Sequence, residues 1–377
     1  MKLVQKVKLL LKAKTKSKMK FKQIKISREV KIALSSLGAV CVIAGVVVAL
    51  LVFGPNESSI GSEDPTPTAV NEAKTMRHPL TGAIITEPLM ALPQVFGIMV
   101  ENSADAWPLS GLDQAFLVIE APVEGGIPRF IAFFGDDQVV DKIGPVRSTR
   151  PYYLDWNDEL DAIYGHVGGS PEALDLIKYT YETIDLNQFW YADYFYRQNG
   201  TRYAPHNVYT DSELLIRAEA KLIEQGEIIE SPKYESWLFK DDQLVGETAR
   251  SLAIDFAPGT VYDVDWKYQP ETNSYLRYQS GIVMKMTDDA TILVNNVVVL
   301  AMDIRVVDSV TRRHIQTVGT GDALISQDGE TYLARWQKEA RTSRLRFYTT
   351  DGYEISLNAG STWIEVVEDL NQTNDIK

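Results

Sequence analysis

The sequence predicts an α/β or α+β domain followed by a mostly β domain, both held outside a membrane by one N-terminal helix. Three observations carry that prediction. Residues 1–31 hold twelve Lys/Arg against one acid, and residues 32–53 then run 22 positions without a charge. Residues 79–227 interleave unbroken apolar segments with capped, 3.6-periodic ones. Residues 228–368 hold short alternating segments between turn signals.

The apolar run is long enough to span about 30 Å of hydrocarbon. Hydrocarbon satisfies no backbone group, so the span must be helical. Basic residues stay on the cytoplasmic side. Residues 1–31 are therefore a cytoplasmic tail that touches anionic head groups, and everything beyond Gly54-Pro55 is exterior. The single cysteine, Cys41, lies inside the run behind Val40, a poor residue before a cleavage site. A retained anchor is expected, not a lipidated cysteine or a cleaved signal. Residues 54–78, rich in Ser, Thr, Pro and Gly, form a flexible linker. Taking the arm's twelve bases and one acid from the chain's 38 and 51 leaves 26 against 50, a net of −24. No nucleic-acid partner is expected for so acidic an exterior.

In the first domain, 79–227, strands are expected at 95–100, 116–120, 129–134 and 160–167. Their lack of alternation implies burial on both faces. A helix is expected over 171–181, with Ser170 as N-cap, Pro171 at its first position and Glu172 in its first turn. Another covers 211–225, where Leu214, Leu215, Ala218, Leu222 and Ile223 share a face and Gly226 stops it. In the second domain, 228–368, segments 261–267 and 275–279 form a hairpin about the turn at 270–273. Further strands are expected at 292–304, 323–326, 331–337, 344–348 and 363–367, and 369–377 reads as a disordered tail.

Four clusters could carry chemistry. In His166-Val-Gly168-Gly169-Ser170-Pro-Glu172, two glycines join a strand end to a capped helix whose free N–H groups attract anions; an ordinary tight turn is the competing reading. Arg147 and Arg150 occupy a proline-bounded loop, and guanidinium forks match carboxylate and phosphate. Internal ion pairing with the many acids would also explain them. Glu120, Glu124 and Arg129 fall within ten residues; paired carboxylates suit acid/base work or a cation, and a solvated hairpin turn is the competing reading. His206-Asn207 closes an aromatic-rich stretch, and His166 and His206 could act as proton shuttles. Two imidazoles without a third ligand at fitting spacing do not make a zinc site. No Walker, Rossmann or nucleophile-elbow pattern occurs, and no metal or cofactor is expected.

Val100-Glu101-Asn102, Pro108-Leu-Ser-Gly-Leu112, Val123-Glu-Gly-Gly126, Gly144-Pro-Val-Arg-Ser148, the stretch from His166 to Leu174, and Ala204-Pro-His-Asn207 occur in this order. Together they resemble the YerB-type family of bacterial envelope proteins, often lipoproteins, over residues 79–368. The resemblance implies an extracytoplasmic, membrane-attached protein of two linked modules, and it carries over no catalytic role. The apolar span departs from the lipoprotein members. Three functions then compete. The first is recognition of a cell-wall polymer or small anionic ligand by Arg129, Arg147, Arg150, His166, Gly168, Gly169, Ser170, His206 and Asn207. The second is wall hydrolysis by Glu120 or Glu124 with His166 or His206. The third is a scaffold whose β module docks an envelope protein.

Overall fold

The computed structural model describes residues 76–200, 202–243, 251–256 and 258–376. The tail, the apolar span and most of the linker lie outside them. No helix among the described residues is long and apolar enough to cross a membrane. The folded part begins before the expected end of the linker: Arg77 pairs with Ile84 and donates to the Gly82 carbonyl at 2.8 Å.

One mixed sheet of ten strands organises residues 73–377. Its strands, in chain order, are β1 (Val95–Val100), β2 (Leu117–Pro122), β3 (Pro128–Gly135), β4 (Ile163–His166), β5 (Ile184–Asn187), β6 (Asn296–Ala301), β7 (Gly319–Gln327), β8 (Glu330–Lys338), β9 (Arg346–Thr349) and β10 (Thr362–Val367). They lie side by side as β9-β8-β7-β6-β10-β2-β3-β1-β4-β5. The two sequence modules thus share one sheet, joined where β2 runs parallel to β10 with Glu120 opposite Glu365. All residues of β1, β2, β3 and β10 are buried. Successive side chains alternate between two cores: Phe96, Ile98 and Val100 face one, and Val95 and Met99 the other. The missing alternation in the sequence is therefore a consequence of cover on both faces.

The layer over the first core combines a helix with a second sheet. Helix α3 (Ser212–Gln225) contributes Leu215, Ala218 and Leu222 and ends at left-handed Gly226, as its sequence predicts; Asp211 is its N-cap, and Ile223 is exposed. The second sheet runs 282–283, 274–279, 264–269, 251–254 and 373–376, and its inner residues Val264, Trp266 and Tyr268 reach the same core. The expected tail is thus a strand: Thr373–Ile376 pairs with Ser251–Ile254 and closes that sheet. The layer over the second core centres on α1 (Pro151–Asp158), which buries Tyr152, Tyr153 and Trp156. The sequence reading stopped a loop at Pro151 and missed α1, although proline suits a first helical position. Helix α2 (Pro171–Tyr179) links β4 to β5 as a parallel crossover, and Ser170 accepts the Ala173 N–H.

Trp363 on β10 packs against Phe130 on β3 and Trp266 of the second sheet, each with ring centres 5.4 Å apart. One side chain therefore belongs to both modules. Trp363→Ala is expected to lower stability by about 3–5 kcal/mol and to leave a single transition. Coincident urea curves from tryptophan fluorescence and far-UV circular dichroism would check this, whereas two separate transitions would mean the modules unfold independently.

Candidate functional site

The loop from Gly144 to Arg150 lies against the segment that follows β4: the Val167 N–H bonds the Arg147 carbonyl, and Thr149 pairs with Gly169. Gly144, at φ +140°, is required there, because a Cβ would stand 2.9 Å from the Val208 carbonyl oxygen. This loop fans out two guanidiniums. Arg150 grips Glu124 with two hydrogen bonds of 2.6 Å. Burial alone would raise the Glu124 carboxyl, but the bonds and charge of Arg150 outweigh it and hold the group below its ordinary value. Arg147 lies 3.1 Å from Glu101, which also accepts the Nδ1–H of His206 at 2.9 Å.

Arg129 reaches the same loop. It is only 8% exposed and donates to the Ser148 carbonyl at 2.6 Å. Burial, then repulsion from Arg150 and Arg147, push its guanidinium below the usual arginine value. Among the described residues no carboxylate pairs with it. Three arginines against Glu101 and Glu124 leave one positive charge in excess.

His166 is elsewhere. Its ring is fully buried, with Nδ1 2.8 Å from the Gly168 carbonyl and Nε2 2.8 Å from Asp185. Both partners are acceptors, so the two bonds form together only when the ring carries both protons or Asp185 its own. The expected single cleft of arginines and both histidines is therefore two places: His206 joins the arginines and His166 faces Asp185. The glycines answer to packing. A Cβ on Gly168, at φ +61°, would stand 2.9 Å from the Phe189 ring, and one on Gly169 would stand 2.6 Å from the Thr149 methyl. The Ser170 hydroxyl is taken by its capping bond. Asn207 is a brace, accepting from Arg197 at 2.9 Å and donating to Asn199 at 3.0 Å.

Glu120 is not at a surface site either. It is fully buried, 2.6 Å from the equally buried Arg277, and it accepts from Asn102 at 3.0 Å. Beside it, Glu365 accepts from Trp266 Nε1 at 2.8 Å. Burial, then the neighbouring charge of Glu120, push the Glu365 carboxyl well above the carboxylate range, against the pull of Arg277. Sequence reasoning missed Glu101, Asp185 and Arg277. Glu101 had a signal, a carboxylate directly after the wholly apolar strand 95–100 and inside the Val100-Glu101-Asn102 motif, but it was given no role there.

A ten-stranded mixed sheet built jointly by two sequence modules, with charged residues at the seam, defines a two-module β-rich protein. Residues 80–224 match the family model "Protein of unknown function (DUF3048) N-terminal domain", and residues 252–364 match its C-terminal domain. The chain belongs to this family. It is 28% identical over 310 residues to "Putative lipoprotein YerB" of Bacillus subtilis (strain 168), covering 79% of this chain and 88% of that protein. The crystal structure of YerB from Bacillus subtilis superposes with a TM-score of 0.71 at 26% identity, covering 80% of this chain and all of that one. The resemblance read from the six motifs is thereby confirmed.

The Glu365 proton gives stability a direction with pH. The folded chain keeps a proton that the unfolded chain releases near pH ~4.3. Stability present below that value is lost as pH rises toward the raised folded value, at up to about 1.4 kcal/mol per pH unit. Glu365→Gln is expected to flatten this fall and to stabilise the protein at neutral pH. Urea unfolding between about pH 5 and pH 8 measures it, and an unchanged slope would place the proton elsewhere.

Proposed function

We propose that this protein is a membrane-anchored, extracytoplasmic protein of the cell envelope whose first module binds an anionic group on a cell-wall or other envelope polymer. Arg129 carries the reading. A buried guanidinium crowded by two others and lacking its own carboxylate is costly, and an anion seated among the three relieves that cost. Planar forks suit stem-peptide carboxylates and polymer phosphates alike. Membrane attachment rests on the basic arm and apolar run, and on the name "Putative lipoprotein YerB" of the relative.

The ion pairs of Glu120 and Glu124 with arginine favour binding over glycoside cleavage, which needs two free carboxylates flanking the bond. A hydrolase is the second reading, and the Glu101–His206 pair supports it. A carboxylate that accepts Nδ1–H leaves Nε2 as a proton acceptor, the arrangement of an oriented general base.

Arg147→Ala combined with Arg150→Ala is expected to weaken binding of the full chain to purified wall material by about tenfold or more, and added salt should weaken the parent in the same sense. Co-sedimentation measures both, and unchanged binding by the double variant would overturn the reading. Mass spectrometry of the recovered wall tests the alternative: new fragments that His206→Gln abolishes would establish a hydrolase.

A further inference from the structure

A cleft of about 800 Å³ opens over the ends of β4 and β5 beside the start of α2, a size suited to a small-molecule ligand. We propose that it is a second recognition site that binds a neutral oligosaccharide, with Trp190 and Phe189 as the stacking platform and Asp185 and Asn187 as the hydroxyl-binding pair. The inference does not rest on the arginine cluster, because no arginine lines this cleft.

The platform is exposed and yet held. Phe189 is 63% and Trp190 77% exposed, and neither ring pairs with another aromatic among the described residues. Their turn is pinned at its root: the N–H groups of Trp190 and Tyr191 bond the Asn187 carbonyl at 2.9 and 3.0 Å, and that of Phe189 bonds Asn187 Oδ1 at 3.2 Å. The Phe189 ring rests against Gly168. Such faces offer apolar area at little entropic cost and suit the C–H face of a sugar ring.

The polar half is also set in advance. Asp185 and Asn187 are alternate residues of β5 and so share a face. Asp185 has Oδ1 held by buried His166, and its other oxygen has no partner among the described residues. Asn187 is 4% exposed, and its Oδ1 is taken by the N–H groups of Gly168 and Phe189. Its Nδ2 donors have no partner among the described residues, although the residue lines the cleft. An acceptor beside a donor matches hydroxyls, which need both. The charged lining, Asp185 and Glu227 against Lys178, nets one negative charge and disfavours an anion. An ammonium ligand would satisfy the acids but not the Asn187 donors.

The test is calorimetric titration of the full chain, in a non-saccharide detergent, with chitotriose, cellotriose and choline. Binding of either trisaccharide is expected, weakened about tenfold in Trp190→Ala and restored in Trp190→Phe. Trp190 is mostly exposed, so the variants should keep the parent's far-UV circular dichroism. No heat with either sugar, or sugar binding that Trp190→Ala leaves intact, would overturn the assignment. Choline binding without sugar binding would do so as well, and would make the cleft a cation cage.

Discussion

The parallel pairing of β2 with β10 is the constraint on which the rest depends. It places strands some 240 residues apart in the chain in the middle of one sheet, so neither module has a complete core without the other. The seam is charged as well as apolar. Glu120 and Arg277 are buried together, and Glu159, near the C-terminal end of α1, takes Lys338 at 2.6 Å and also Arg344. Removing one partner of such a pair strands the other in a medium that cannot solvate it. These pairs therefore reject any docking of the modules in which the partners fail to meet.

Local signals were legible and long-range ones were not. Strands β1 to β3 stood out because cover on both faces makes them apolar throughout, and α2 and α3 because Ser170 caps one and Gly226 stops the other. Strand β5 was missed because Asp185 and Asn187 interrupt it, and these are the residues that face a cleft. No single-sequence pattern links residue 120 to 365, so the merging of two expected domains into one sheet was invisible. Of the site, the arginines were legible as cations out of place in an acidic chain. That Arg129 would lack a carboxylate, and that His166 would turn toward Asp185 instead, depend on strand register.

The two proposed recognition surfaces differ in sign and texture. One gathers guanidiniums around Ser148, and the other sets aromatic rings beside Asp185 and Asn187 of β5. The segment 147–150, which bears the first, runs beside 167–170, which borders the second. A polymer that alternates sugar rings with acidic substituents offers both chemistries along one chain, so modest contacts at two places can add up to firm retention.

The chain order of the sheet also has a consequence for how the protein is made. Strand β2 is synthesised some 240 residues before its neighbour β10. Until then β2 presents an unpaired edge, which is a template for mispairing. Folding built on contacts so distant in sequence is slow. Synthesis of this chain therefore passes through an open-edged intermediate, and places a premium on holding it apart from its neighbours until β10 arrives.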